Sequence, residues 1–168
     1  MTSAYLRTVR WATVQPWLST ATRLLLGGVW IVAGATKVAY LAESVRAVRA
    51  YRLLPEVLVP LVGAGLPFLE ITLGVLLLIG LGTRLSAAVS AALMLVFVVG
   101  ISSVWARGLR IDCGCFGGGG ELAAGVAPSY APDLARDLAL LAVSGLLVVW
   151  ASSRWSLDRW LFGTAEDT

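Results

Sequence analysis

Four long apolar runs, separated by polar stretches, dominate the chain. They cover about residues 17–40, 55–81, 85–106 and 133–152. Each run is long enough to cross a bilayer as a helix, which needs about 20 mostly apolar residues. Because lipid offers no partner to an unpaired backbone group, a helix is the expected form of each run. The pattern predicts an all-α fold, an integral membrane four-helix bundle, with residues 1–16 as a polar N-terminal segment and 153–168 as a C-terminal tail.

The polar connections between the runs differ in length. In the first, residues 41–54, Arg46, Arg49 and Arg52 recur every third position and so share one face of a helix. We expect an amphipathic helix at the membrane interface there. The second connection, Gly82-Thr83, predicts a tight hairpin. The third, residues 107–132, is long enough to carry function, and four spans would place it on the same side as the first.

Composition agrees with a membrane domain and narrows the chemistry. Of the 168 residues, 58% are hydrophobic and 14% charged, and the net charge is +3. A soluble domain carries about 25% charged residues, so this chain has too few to cover a water-facing surface. No pattern resembles a nucleic-acid-binding face. Histidine is absent and there are two cysteines, which excludes a Cys-His catalytic pair and is too few ligands for a zinc site, so we predict no metal centre.

The two cysteines, Cys113 and Cys115, lie in the third connection with one glycine between them. A bridge across so small a ring departs from preferred disulfide geometry, and strained bridges are the labile, oxidising ones. So short a loop also constrains the unfolded chain very little, which argues against a purely structural bridge. We expect redox exchange at this pair. Two alternatives stay open: unreactive thiols, or half of a metal site completed by a partner.

Charged residues surround the pair in sequence. Arg110 precedes it and Arg136 follows at the start of the fourth run, and positive charge lowers the pKa of a thiol. The start of a helix favours a thiolate as well, whereas Asp112 acts against it. The alternative for the arginines is contact with lipid headgroups and pairing with Asp133 or Asp137.

Glu70 is an ionisable residue inside the second run. It lies about 20 Å from the end of that run nearest the cysteines, at 1.5 Å per helical residue. A group of this kind at membrane depth is costly and is a functional candidate by default. It could carry protons, bind a headgroup or pair with Arg23 of the first run. The simpler alternative is a protonated carboxyl bonded to a neighbouring helix.

Several segments resemble the methylamine-utilisation MauE family, within the broader DoxX-like membrane proteins. The similarity covers most of residues 20–150. It is carried by Arg23-Leu24-Leu25-Leu26-Gly27-Gly28, Gly34-Ala35-Thr36-Lys37, Tyr51-Arg52-Leu53-Leu54-Pro55, Leu66-Pro67-Phe68-Leu69-Glu70, Gly74, Arg107-Gly108, Asp112-Cys113-Gly114-Cys115-Phe116-Gly117 and Arg136-Asp137.

The resemblance implies a four-helix membrane protein that works in thiol redox chemistry with a thioredoxin-like partner. Cys113 and Cys115 would then be the catalytic pair, and Glu70 and Lys37 a polar site within the membrane. The residues expected to support the thiolate or its loop are Arg110, Asp112, Phe116, Arg136 and Asp137.

The function we expect is that of a membrane thiol-disulfide oxidoreductase, or of the membrane component of a thiol relay, although enzymatic activity itself stays open. By analogy with other four-helix redox proteins, a membrane quinone is the candidate electron acceptor. Arginines are almost equally numerous on the side of the bundle with the termini and on the side with the long loops, so the positive-inside rule does not decide the orientation. We place the cysteine loop outside the cytoplasm because disulfides belong to oxidising compartments. The alternatives are a non-catalytic assembly factor for a secreted enzyme and a bundle that binds a lipid or small molecule. The client, the direction of electron flow and the oligomeric state are left open.

Overall fold

The computed structural model describes residues 2–150 and 156–163, with side chains for 14–150, 156–158, 160 and 163. Within these residues the chain forms six helices and one two-stranded sheet. In chain order they are α1 (Thr2–Val38), α2 (Leu41–Ala50), α3 (Val59–Ile79), α4 (Thr83–Ala106), β1 (Ile111–Asp112), β2 (Gly120–Glu121), α5 (Tyr130–Val149) and α6 (Leu157–Phe162).

Three of the helices are long and apolar enough to cross a membrane. They are the Val14–Val38 part of α1, and the whole of α3 and of α4. This confirms the prediction of a helical membrane protein. Helix α5 has 20 residues, but Asp133, Arg136 and Asp137 lie in its first half and lower its apolar character. A fourth span therefore stays a prediction.

The helices pack as two pairs. Helix α1 lies mainly against α3, and α4 mainly against α5. Glycine lets the backbones of α1 and α3 touch: a Cβ on Gly34 would lie 2.7 Å from the carbonyl oxygen of Pro67, and one on Gly74 would lie 2.9 Å from that of Gly27. Small residues at such contacts are typical of helix packing in membranes. The two pairs meet along a seam that contains most of the core.

The core is divided into two clusters along this seam. The larger contains Leu26, Trp30, Leu73, Leu77, Ala87, Met94, Leu140 and Leu147. At its centre the indole Nε1 of Trp30 donates to Ser90 Oγ at 2.9 Å, and the Ser90 hydroxyl donates to the carbonyl of Ser86 at 2.8 Å. Both buried side-chain donors are therefore satisfied. The smaller cluster, Ala50, Ile101, Val104, Ile111 and Tyr130, lies at the cysteine end.

Helix α2 is amphipathic, as predicted. Its buried face consists of Ser44, Ala47 and Ala50, and the Ser44 hydroxyl donates to the Gly63 carbonyl of α3 at 2.6 Å. Arg46 and Arg49 lie on the outer face. The prediction that Arg52 continues this helical face is wrong, because the helix ends at Ala50 and Arg52 takes a left-handed φ of 52°.

Several predicted boundaries differ from the structure. Helix α1 begins at Thr2 and so includes most of the predicted N-terminal segment, and Thr83 begins α4 where we expected a connection. Helix α5 begins at Tyr130, three residues before the predicted start; residues 151–152 of the predicted span lie outside the described residues.

The predicted C-terminal tail contributes to the fold. The Asp158 carboxylate of α6 accepts hydrogen bonds from the backbone N–H groups of Gly82, at 2.7 Å, and Thr83, at 2.9 Å. These donors have no partner within α4, and a carboxylate is favourable at a helix N-terminus. The tail therefore caps α4.

Candidate functional site

A small hairpin between α4 and α5 presents the cysteines. Strands β1 and β2 are antiparallel, with Ile111 opposite Glu121 and Asp112 opposite Gly120. The turn between them depends on glycine: Gly114 has a φ of 69°, and a Cβ on Gly119 would lie 2.6 Å from that of Ala47. Only glycine adopts such backbone angles without strain. The glycines allow the hairpin to lie directly on α2.

Two tyrosines that were not predicted as site residues hold this hairpin in place. The Tyr51 hydroxyl donates to the Cys113 carbonyl at 3.0 Å. The Tyr130 hydroxyl donates to the Leu109 carbonyl at 2.5 Å and accepts from the Ile111 N–H at 2.9 Å. Each contact joins residues far apart in sequence, so no local signal indicated it. The cysteine backbone is thereby fixed to α2 and α5.

Both cysteines are half-buried free thiols. The backbone N–H of Cys115 donates to Cys113 Sγ at 3.4 Å, and Nη2 of Arg136 lies 3.9 Å from the same sulfur. The Arg136 guanidinium is also 5.0 Å from the centre of the Phe116 ring, a cation–π contact. Arg136 and Phe116 thus lie beside the cysteines.

Helix α5 positions this arginine through two carboxylates. Nε of Arg136 donates to Asp137 Oδ1 at 2.9 Å, and Nη1 donates to Asp133 Oδ1 at 3.1 Å. Pairing with Asp133 or Asp137, which was the alternative to a thiol contact for Arg136, therefore exists together with that contact. These two ion pairs hold the guanidinium next to the Cys113 sulfur.

The two thiols differ in acidity. The hydrogen bond from the Cys115 side chain lowers the pKa of Cys113, and the backbone of Cys115 and the Arg136 guanidinium act in the same direction, against burial. Sharing its hydrogen with Cys113 raises the pKa of Cys115, and burial raises it further. The pKa of Tyr51 is raised, first by burial, so its hydroxyl stays a donor. Cys113 is therefore the sulfur that ionises first.

Two other predicted residues are oriented differently. The Arg110 guanidinium donates to the Val126 carbonyl at 2.5 Å, on the other part of the same loop, so its described hydrogen bond does not involve a thiol. Asp112 Oδ1 accepts from the Gly114 N–H at 2.9 Å and shapes the turn between the cysteines. Both residues order the hairpin.

Glu70 pairs with Lys37, and the alternative of a pair with Arg23 is wrong. The Lys37 ammonium donates to Glu70 Oε1, with 4% and 0% of the two side chains exposed. Arg23 lies 14 residues before Lys37, about 21 Å along the helix axis, beside Gly80 at the other end of α3. Because α1 and α3 run antiparallel, the last turn of α1 reaches the level of Glu70.

A cavity of about 10 Å³ lies at the seam between the helix pairs. Cys115, Asp137 and Glu70 line it from the hairpin, α5 and α3, together with Trp30 and Met94. Glu70 Oε2 and Asp137 Oδ2 are buried and have no hydrogen-bond partner among the described residues. Such a volume holds about one water molecule. Within the described part of the chain, no group of three or more His, Cys, Asp or Glu residues could hold a metal.

Comparisons with known proteins agree with the sequence resemblance. The family model described as methylamine utilisation protein MauE matches residues 15–151. A methylamine utilization protein MauE from Paracoccus denitrificans is 33% identical over 107 residues, which is 63% of this chain and 58% of that protein. No solved structure matches the chain significantly. With a family match over most of its length, this chain belongs to the MauE family.

Proposed function

We propose that the protein is the membrane component of a thiol redox relay, with Cys113 and Cys115 cycling between dithiol and disulfide. The observation that carries the proposal is the asymmetry of the pair: Cys113 Sγ accepts from the Cys115 N–H and lies 3.9 Å from the Arg136 guanidinium. Donors and a cation around one sulfur favour its thiolate, which is the nucleophile in disulfide exchange. Cys113 attacks first, and Cys115 closes the bridge.

The partner we propose is a thioredoxin-like protein or a client protein with a disulfide of its own. Since the chain has one cysteine pair, any relay is shared with a second protein. A membrane quinone remains our candidate for the final electron acceptor. A quinone ring does not fit the 10 Å³ cavity beside Cys115, so no step is assigned to it there.

The membrane arrangement we propose has four spans, with α5 as the fourth, in the cell membrane. Helix α5 packs along α4 over its length, and its charged residues cluster at the cysteine end. Four spans place the cysteine hairpin and α2 on one side, and we propose the extracytoplasmic side, where disulfides persist. The aligned relative is named for methylamine utilization, and a role in such a system is part of this proposal.

Thiol trapping in intact cells tests the redox role and the orientation together. The wild type and the Cys113→Ser and Cys115→Ser variants are treated with permeant or impermeant maleimides, before and after reduction. We expect a wild-type pair that is oxidised, reducible and reachable by the impermeant reagent. Because Cys113 attacks first and Cys115 closes the bridge, we expect the Cys115→Ser variant to trap a mixed disulfide between Cys113 and the partner. Thiols that stay reduced under all conditions contradict the relay. Loss of the protein itself on Cys→Ser substitution favours the assembly factor.

A further inference from the structure

In the part of the chain that the structure describes, one oxygen of the Asp137 carboxylate has no structural partner. Its side chain is 2% exposed, Oδ1 accepts from Arg136, and Oδ2 has no hydrogen-bond partner among the described residues. A buried acceptor left unpaired is destabilising, so the position calls for an explanation beyond the salt bridge. That oxygen belongs to a side chain lining the cavity that Cys115 also lines.

The need for a proton acceptor follows from the chemistry of the pair. In the dithiol the pKa of Cys113 is lowered, whereas the hydrogen bond to Cys113 and burial raise the pKa of Cys115. In the mixed disulfide Cys113 no longer shares this hydrogen, but burial still raises the pKa of Cys115, which must become a thiolate before it can attack. A half-buried thiol has limited access to water, so a base within the protein would speed this step.

We propose that Asp137 is the general base that accepts the Cys115 proton when the bridge closes. This inference rests on the proposed redox function. The Cys115 S–H bond breaks and the proton passes to Asp137 Oδ2, directly or through one water in the cavity. The Cys115 thiolate attacks Cys113 Sγ, the Cys113–Cys115 bond forms, and the bond from Cys113 to the partner sulfur breaks. The partner leaves as a thiolate, so the partner disulfide is reduced as the pair is oxidised.

Asp137 fits this role better than Glu70, the other buried carboxylate with one oxygen that has no hydrogen-bond partner among the described residues. One oxygen of each carboxylate is held by a cation, Glu70 Oε1 by Lys37 and Asp137 Oδ1 by Arg136, so the two differ in their relation to the cysteines. Asp137 is adjacent to Arg136, which contacts Cys113, and its charge acts directly on Cys115. The same residue thus holds the arginine that favours the Cys113 thiolate and faces the thiol that must lose its proton.

Ionisable groups from several elements surround Asp137, and any pH dependence includes them. Helix α4 contributes only the apolar Met94 and Phe97 to the cavity. The charged and titratable neighbours are Lys37 of α1, Tyr51 after α2, Glu70 of α3, Cys113 and Cys115 of the hairpin, and Arg136 and Asp133 of α5.

The two steps can be separated with an aromatic disulfide, dithionitrobenzoate, on the full chain in detergent. Attack by Cys113 releases one coloured thionitrobenzoate, and closure by Cys115 releases a second. In wild type we expect two phases of colour. In Asp137→Asn we expect the second phase to slow about 100-fold near pH 7, the scale of general-base catalysis, and to recover as the pH rises, while the first phase persists.

Glu121→Gln is the control, because Glu121 belongs to the same hairpin, but its carboxylate pairs with Arg52 on the exposed surface and does not line the cavity. We expect its second phase to stay close to wild type. If Asp137→Asn slows both phases, the Asp137→Glu variant, which keeps a carboxylate, decides. A second phase that recovers relative to Asp137→Asn and follows a shifted pH profile supports the base. A second phase as slow as in Asp137→Asn at every pH overturns it. An unchanged second phase in Asp137→Asn overturns the inference and leaves the redox function standing. A wild-type protein without a second phase contradicts the redox function itself.

Discussion

The buried Lys37–Glu70 pair makes a quantitative prediction about stability. Both side chains are almost completely buried, and the pair joins α1 to α3. Replacing Lys37 by Met leaves the Glu70 carboxylate without its cation. Breaking a buried pair from one side typically costs about 3–5 kcal/mol, because the remaining charge is uncompensated.

An independent argument gives a similar magnitude. A carboxylate stranded in an apolar interior can escape by binding a proton. For an ordinary glutamate with a pKa of about 4.3, this costs about 3.7 kcal/mol at pH 7 and about 1.6 kcal/mol at pH 5.5. We therefore expect Lys37→Met to lose about 3–4 kcal/mol of unfolding free energy at pH 7 and to regain about half of it at pH 5.5. The stability of the variant rises as the pH falls, because its folded state binds a proton that the unfolded state does not bind.

The assay is unfolding by SDS in mixed micelles, followed by tryptophan fluorescence. The double variant Lys37→Met/Glu70→Leu removes both charges, and we expect it to recover most of the loss, since apolar replacements of buried pairs are often neutral. Arg46→Met is the control, because the Arg46–Glu43 pair is exposed and worth less than about 1 kcal/mol. A loss below about 1 kcal/mol in Lys37→Met, or a double variant as unstable as the single one, would refute the reasoning.

Three further predictions concern the thiol, the α2–α3 contact and the core. In Cys115→Ala the side-chain donor to Cys113 is gone while the backbone N–H remains, so the pKa of Cys113 rises and its alkylation by iodoacetamide near pH 7 slows; an equal rate would show that the Cys115 side chain does not activate it. Gly63→Ala places a Cβ 2.6 Å from Val45 Cα and lowers the melting temperature, whereas Gly65→Ala, with open space around it, does not. Ser90→Ala leaves the Trp30 indole unpaired and costs about 1–3 kcal/mol, read from SDS unfolding, and no loss would mean that water replaces the hydroxyl.

The sequence predicted the helices well because their signal is local. A long apolar run must be helical in lipid, and the three strongest runs became helices that could cross a membrane. Helix α5 is the exception, since Asp133, Arg136 and Asp137 serve the hairpin and weaken the apolar signal of the helix that carries them. The same three residues that mark the site obscure the span.

The partners of the site could not be predicted, because they depend on packing between distant segments. The cysteines and Arg136 were recognised from their chemistry, but Tyr51 meets the Cys113 carbonyl across 62 residues. The choice between Lys37 and Arg23 for Glu70 depended on how α1 and α3 are aligned. Gly34 and Gly74, which let the backbones of α1 and α3 touch, appear in the sequence as ordinary small residues.

The division into two helix pairs has a consequence for how the protein is made. The first pair and α2 are encoded before Gly80, and α4, the cysteine hairpin and α5 follow after Gly82. Lys37 and Glu70 come from the earlier half of the chain, and Cys115 and Asp137 from the later half. The ribosome therefore delivers the thiols after both residues of the ion pair. Until the two halves pack together, the thiols lack the contact with Tyr51 and the buried surroundings of Cys115. The thiols therefore acquire their different acidities only when the helix pairs have assembled.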